Sequence, residues 1–490
     1  MFCRGQILVR TFLGLILMIT PNVQSSVGAD KPAGVRAWTA AERDELLGYA
    51  RATWHSFESM TGPSGLPADM LNADDLGNWK PSKNTSPTDI ASYLWATLSA
   101  RSLGLINDHE ADARIEATLA SLARMERDHG FYHNLYEVQR GSRSTTARPF
   151  LSSVDNGWLA ASLMMVRNAR PMLRDRADAL LDPMNFRFFY APFDPADPVS
   201  RPGQFQGGWY PDDRSWTAFY GMLNTEPRII SYVAIARGQV PAEHYARLFR
   251  TLPADRGRQM QDPQGETRTV HGVPVFEGHY SYRNLDFVPS WAGSMFEALM
   301  VPLFVPEETW GPRSWGVNHP IYARIQIEQG LEVMRYGYWG FSPSATPEGG
   351  YQTYGVKALG TDINSYRTFE ISSESKAKGG REDGPPREGV VTPHASFLAL
   401  RYAPDEALAN LRALVKAFPI FGPQGFHDSV NVTTGQASRS VLSLDQGMIL
   451  VAIANALADD AIRKAFVEGP IEAAIRPLIA TEEFSAGSHR

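Results

Sequence analysis

Apolar residues recur at the spacing of an amphipathic helix in segment after segment of this 490-residue chain, and that period constrains the fold more than any other feature. The segments are Glu42 to His55, Asp89 to Leu103, Glu110 to Met125, Asn156 to Val166, Arg228 to Arg237 and Ala242 to Leu252. Pro289 to Phe304, Tyr322 to Val333, Pro404 to Ala417, Asp445 to Leu457 and Asp459 to Phe466 continue the pattern. With shorter candidates between them they predict about a dozen helices and few strands. Start signals agree: Thr39 stands three residues before Glu42, Ser86 three before Asp89, and Pro404-Asp405-Glu406 opens a first turn. Hydrophobic residues make up 43% of the chain, enough to bury one large core.

The N-terminus has Arg4 and Arg10, an apolar stretch from Thr11 to Ile19, and Val27-Gly28-Ala29 before Asp30. This is the pattern of a secretory leader, residues 1–29, followed by a single domain over 30–490. The apolar core is shorter than the roughly 20 residues that span a bilayer, so no stable membrane insertion is expected. A periplasmic or secreted protein of a bacterium fits. The single cysteine, Cys3, precedes the apolar stretch, which leaves the mature chain without disulfides or thiolate metal ligands. With 47 basic against 53 acidic side chains and no cationic run, nucleic acid and anionic lipid have no electrostatic footprint, and a neutral ligand fits better. Oligomeric state is not encoded in any of these features.

Long stretches rich in Gly, Pro and aromatic residues separate the helices, at Arg201 to Asn224, Asp262 to Asp286 and Gly340 to Arg387. Loops of that length in a compact domain are usually functional, as the walls of a cleft are. Ser373 to Arg387, polar and Gly/Pro-rich, reads as a mobile flap. Saccharides need rings to stack on and short-range polar partners. The loops carry or border Trp209, Tyr210, Trp216, Tyr220, His279, Tyr280, Tyr282, Trp291, Trp310, Trp315, Trp339, Tyr351, Tyr354 and Tyr366, although each ring could equally pack a core.

Glycoside hydrolysis needs two carboxyl groups, one protonated and one ionised. Asp155, in Phe150-Leu-Ser-Ser-Val-Asp-Asn-Gly-Trp158, opens a helix, and capping is its competing role. Glu226, in Leu223-Asn-Thr-Glu-Pro-Arg228, is the preferred acid, with an ion pair to Arg228 as the alternative. Glu297 lies in the apolar segment Trp291 to Met300, where a carboxylate needs a partner or a task. His394, Asp428 and Asp445 could meet sugar hydroxyls or satisfy buried backbone. His279, His319, His394 and His427 lack short metal-ligand spacing, no Gly-rich loop follows a strand, and Gly-x-Ser-x-Gly is absent, so no metal, nucleotide cofactor or serine nucleophile is expected.

Nine segments occur in one order: Thr85 to Leu94, Gly130-Phe-Tyr-His133, Ser152 to Gly157, Thr225-Glu-Pro-Arg228, Ser290 to Glu297, Trp339 to Ser344, Val391 to Ala395, Gly425-Phe-His-Asp428 and Leu444-Asp-Gln-Gly447. Together they resemble the glucoamylase-like domain of glycoside hydrolase family 144 endo-β-1,2-glucanases, shared with the C-terminal region of cyclic β-1,2-glucan synthases. The resemblance runs from about Ala40 to Phe466. It implies an all-α (α/α)6 barrel acting on β-1,2-glucan without a metal, with Glu226 as general acid. The second carboxylate is then Asp155 in an inverting enzyme or Glu297 in a retaining one. Tyr132, His133, Trp158, Trp209, Arg228, His279, Tyr280, Trp291, Trp339, Tyr351, His394, Asp428 and Asp445 are the expected substrate-binding residues. Pro227 departs from the small residue many relatives have after the acid, which leaves linkage and cleavage mode open. The rivals are an exo-acting or transglycosylating enzyme on another β-glucan or envelope polysaccharide, and a non-catalytic glucan-binding protein. A lyase of acidic polysaccharide would want basic residues, which the mildly acidic chain lacks.

Overall fold

Side-chain caps set where the helices begin. In the computed structural model, which describes residues 36–252, 259–361 and 389–488, the Glu42 carboxylate accepts the Thr39 N–H at 2.9 Å while the Thr39 hydroxyl accepts the Glu42 N–H. Asp89 and Ser86 make the same reciprocal box, and the Ser152 hydroxyl accepts the Asp155 N–H. The expected leader, residues 1–29, and the flap, Ser373–Arg387, lie outside the described residues.

Six helices follow one another side by side. Pro87–Ser102 lies between Ser153–Ala169 and Ser443–Leu457; Ser443–Leu457 packs on Pro393–Leu398, and that helix on Met295–Leu299. Arg228, at the head of Arg228–Ala236, donates to the carbonyls of Glu297 and Ala298, and its helix packs on Ser153–Ala169, which returns to the start. Each of the six carries a second helix: Asp108–Leu122, Arg174–Leu181, Pro470–Ala480, Trp315–Glu328, Pro404–Ala417 and Ala40–Met60. Trp95, Trp158 and Phe304 meet in the core with ring centroids 4.9–5.7 Å apart. The described residues form one compact unit.

Small antiparallel sheets decorate this helical body, so an all-α description needs correction. The stretch Asp262 to Asp286, expected as irregular loop, holds the strands Gln264–Val270 and Val273–Tyr282, paired over their length. Val273 and Val275 face inward on either side of exposed Pro274, a period-two signal obscured in the sequence because Pro274 and Phe276, at the outward positions, are themselves apolar. Two expected helices are much shorter. Pro289 to Phe304 contains only Met295–Leu299 and the 3₁₀ turn Val301–Leu303. Gly293 sits at φ +73°, where a Cβ would come 2.1 Å from the Val356 carbonyl, so the chain ahead of Met295 is held in a turn. Ala242 to Leu252 keeps only Glu243–Ala246, because Phe249 exchanges backbone hydrogen bonds with Gly221 and Leu223 instead.

Candidate active site

Five of the six successive helices bring an acid or a histidine at their first turn: Asp89, Asp155, Glu297, His394 and Asp445. Glu226 stands two residues before the sixth, Arg228–Ala236. So many acids can share one place because burial and mutual repulsion keep several of them protonated. Asp69, from the loop after Ala40–Met60, and Asp428 complete the group.

Glu226, Pro227, Tyr220, Trp291, Phe296, Glu297 and Tyr351 line a cavity of about 180 Å³. Asp69, Asp155 and Glu226 keep part of their surface open, whereas Asp89, Glu297, Asp428 and Asp445 are buried. The Tyr351 side chain is 55% exposed, yet its hydroxyl lies within the field of Asp445, Asp428, Asp69 and Glu226.

Burial, then the charge of Glu297, pushes the Glu226 carboxyl up to about 8, so it carries a proton at neutral pH. Burial and Asp69 raise Asp89 well above the usual carboxylate range, and burial carries Asp445 to about 6. Asp428 is raised by burial and by Asp445 beside it. Asp155 accepts a hydrogen bond from the Thr88 hydroxyl. Glu297 is raised by burial too, but its Oε2 is already engaged: it accepts from the Ser290 hydroxyl at 2.7 Å, Ala292 N–H at 2.9 Å and Ser294 N–H at 3.3 Å, and Oε1 shares the Ala292 N–H at 3.2 Å. It closes a capping box with Ser294, the N-cap of Met295–Leu299, and lies in the first turn, not inside a long apolar helix.

His394, Asp428 and Asp445 offer ligand atoms all within 4.8 Å of one another, close enough to chelate a cation and equally to share protons. His394 Nδ1 lies 2.9 Å from Asp445 Oδ2 and 2.7 Å from the Thr392 hydroxyl. Burial holds the imidazole down at about 4, hence neutral.

The structure brings Glu226, Asp155, Glu297, Trp291, Tyr351, His394, Asp428 and Asp445 to one region, and takes others elsewhere. Tyr132, Trp158 and Trp339 are enclosed in the core and present no face to a ligand. Arg228 is not a substrate contact: its guanidinium makes a two-pronged pair with Glu307 at 2.8 and 2.9 Å, with no side-chain exposure on either residue. Nor does it pair with Glu226. Tyr280 is buried with its hydroxyl on Gln259, and His279 sits beside Asp286 at 3.5 Å in the hairpin sheet. Trp209 is 9% exposed, packed among His129, Phe188 and Trp216. His133 is buried beside Glu126 at 3.7 Å. Asp69 and Asp89 escaped the sequence reading as site residues. Asp89 stands inside a recognised segment but reads there only as a cap, and Asp69, in Leu66-Pro-Ala-Asp69, carries no local signal.

Helix N-termini gathered end-on bring acids around an aromatic-walled cavity, and sequence comparison likens part of the chain to glucoamylase-like proteins. Residues 308–470 match the Glycoamylase family, described as "Putative glucoamylase", and residues 48–187 match a family of unknown function, DUF3131. Among curated proteins the chain is 24% identical, over 89% of its length, to the cyclic β-(1,2)-glucan synthase NdvB of Rhizobium meliloti (strain 1021). It spans 18% of that much longer relative. Among solved structures it is similar to an endo-β-1,2-glucanase from Chitinophaga pinensis in complex with sophorotriose and glucose. That match has a TM-score of 0.65 and 17% identity, over 90% of this chain and 98% of that one. An endo-β-1,2-glucanase variant from Talaromyces funiculosus in complex with β-1,2-glucan matches with a TM-score of 0.60 and 13% identity, over 91% and 90%. At such identities the likeness establishes a shared fold. No described helix is long and apolar enough to cross a membrane.

Proposed function

We propose that this protein is a glycoside hydrolase that cleaves β-1,2-glucan internally, with Glu226 as general acid. The observation that carries the reading is Glu226 itself, a carboxyl kept protonated at neutral pH on the wall of an aromatic-lined cavity, as protonation of a glycosidic oxygen requires. Asp155 is the second carboxylate, part-exposed and held by Thr88. It activates water in an inverting reaction. The three hydrogen bonds that fix Glu297 Oε2 at the start of Met295–Leu299 fit a structural role there better than that of a nucleophile. A site that disfavours negative charge enough to keep Glu226 protonated disfavours uronates and sulfated sugars as well, which favours a neutral glucan over the substrate of an acidic-polysaccharide lyase. The glucan complexes of the similar structures point to the β-1,2 linkage.

The six inner and six outer helices are arranged as an (α/α)6 barrel in this reading, with the acids at one end. Residues 1–29 direct export and are removed, which the mature N-terminus recovered from a bacterial periplasm would test. The function is tested by incubating the protein from Asp30 onward with linear β-1,2-, β-1,3-, β-1,4- and β-1,6-glucans and resolving products by size over time. Mid-length oligosaccharides from the β-1,2 polymer alone are the expected result. Silence on all four polymers would refute hydrolysis of β-glucan, and release of only mono- or disaccharide from the outset would refute internal cleavage.

A further inference from the structure

The cavity beside Glu226, at about 180 Å³, is smaller than the pockets of roughly 300 Å³ and upward that enclose drug-sized ligands, so most of a glucan chain must lie outside it. Three large aromatic side chains among the described residues are exposed: Phe193, Trp216 and Tyr351. The Arg247 guanidinium covers Phe193 at 3.4 Å from its ring centre, and Tyr351 lines the cavity. Trp216, 41% exposed, has no such account. An indole left in water forgoes burial energy, and the surroundings of this one hold it in place without hiding it.

Trp216 lies on a short hairpin strand paired with Trp209, which pairs in turn with Leu151 at the entrance to the Asp155 helix. Its ring rests on Phe188 at 5.1 Å and on Phe189 and Trp209 at 6.2 Å. The hairpin turn is braced: Arg148 pairs with Asp212 at 2.8 Å and Asp213 at 2.6 Å while lying 3.9 Å over the Tyr210 ring. Asp213 also accepts the Ser215 N–H at 3.0 Å. Tyr220, four residues on, lines the cavity. Four residues of extended chain span at most about 14 Å, so the exposed ring stands within a few sugar rings of Glu226.

We infer that Trp216 is a stacking platform for a sugar ring outside the acid cavity, so that the protein grips a chain longer than the cavity alone can hold. The inference rests on the glucan reading and adds a residue that sets chain-length preference. Stiff support matters here, because a ring already immobilised loses little entropy on stacking.

The test is calorimetric. The full mature chain carrying Glu226→Gln is titrated with linear β-1,2-linked oligosaccharides from disaccharide to octasaccharide, with and without Trp216→Ala. Affinity should rise with length, and Trp216→Ala should remove about tenfold from the longer ligands while leaving the disaccharide unchanged. Trp216→Phe, which keeps a ring, should restore part of the gain and shows that loss in the alanine variant is not misfolding. A length dependence that survives Trp216→Ala overturns the platform alone. No binding of any β-1,2 oligosaccharide by the Glu226→Gln protein overturns the glucan reading and the platform with it.

Discussion

A carboxylic acid that stays protonated near neutral pH suits the proposed reaction at a cost to folding. Glu226 ionises at about 8 in the folded protein against an ordinary 4.5, so the folded state holds a proton that the unfolded chain has released. Stability attributable to this group therefore falls as pH rises from about 4.5 to 8. Glu226→Gln should melt higher than the wild type at pH 8, by on the order of 2 kcal/mol allowing for its part-exposed side chain, and equally at pH 4. Thermal melts across that range check it. The same proton gives the activity profile: kcat/KM should fall above about pH 8, tenfold per unit, as the acid ionises. Glu226 was legible in the sequence because Pro227 marks a helix start directly after it. Glu297 was legible as a carboxylate in an apolar segment. Its engagement with Ser290 and Ala292 was not, because that depends on how the chain turns at Gly293.

Helices are legible where period and start signal agree, as at Ala40–Met60, Pro87–Ser102 and Pro404–Ala417. They were overread where an apolar run was buried on all sides, as in Pro289 to Phe304, since burial of that kind carries no period. Contact between elements shows at Gly157, where a Cβ would lie 2.7 Å from Ile230 Cγ1 and 3.6 Å from its Cα. This is the approach of the helix bearing Asp155 to the helix that follows Glu226. Gly157→Ala should destabilise by about 1–3 kcal/mol and lower kcat by shifting the two carboxyls relative to each other. Adding Ile230→Ala should cost less than its effect in the wild type, which denaturant melts of the four proteins in a double-mutant cycle would reveal.

Across the whole molecule, the site is tied to the core through the ion pair of Arg228 and Glu307. Glu307 also accepts from Tyr232 at 2.6 Å and lies 3.1 Å from His319. The resemblance pointed to Arg228 as a substrate contact, but its segment alone could not show that a glutamate about eighty residues away folds against it. Arg228 and His319 hold the Glu307 carboxyl at about 2 against burial, so its stabilisation is full above about 4.5 and is lost as pH falls toward 2. Glu307→Gln leaves Arg228 uncompensated and should cost about 3–5 kcal/mol at pH 7. Melting temperatures from pH 5 down to 2 should fall less steeply in that variant than in the wild type.

The most direct test is turnover of linear β-1,2-glucan by the wild-type protein and by Glu226→Gln, with binding of a long β-1,2 oligosaccharide measured on both. Loss of a general acid predicts a fall in kcat of at least about a hundredfold with affinity kept. Activity of the variant within about tenfold of the wild type would contradict the assignment of Glu226 as general acid.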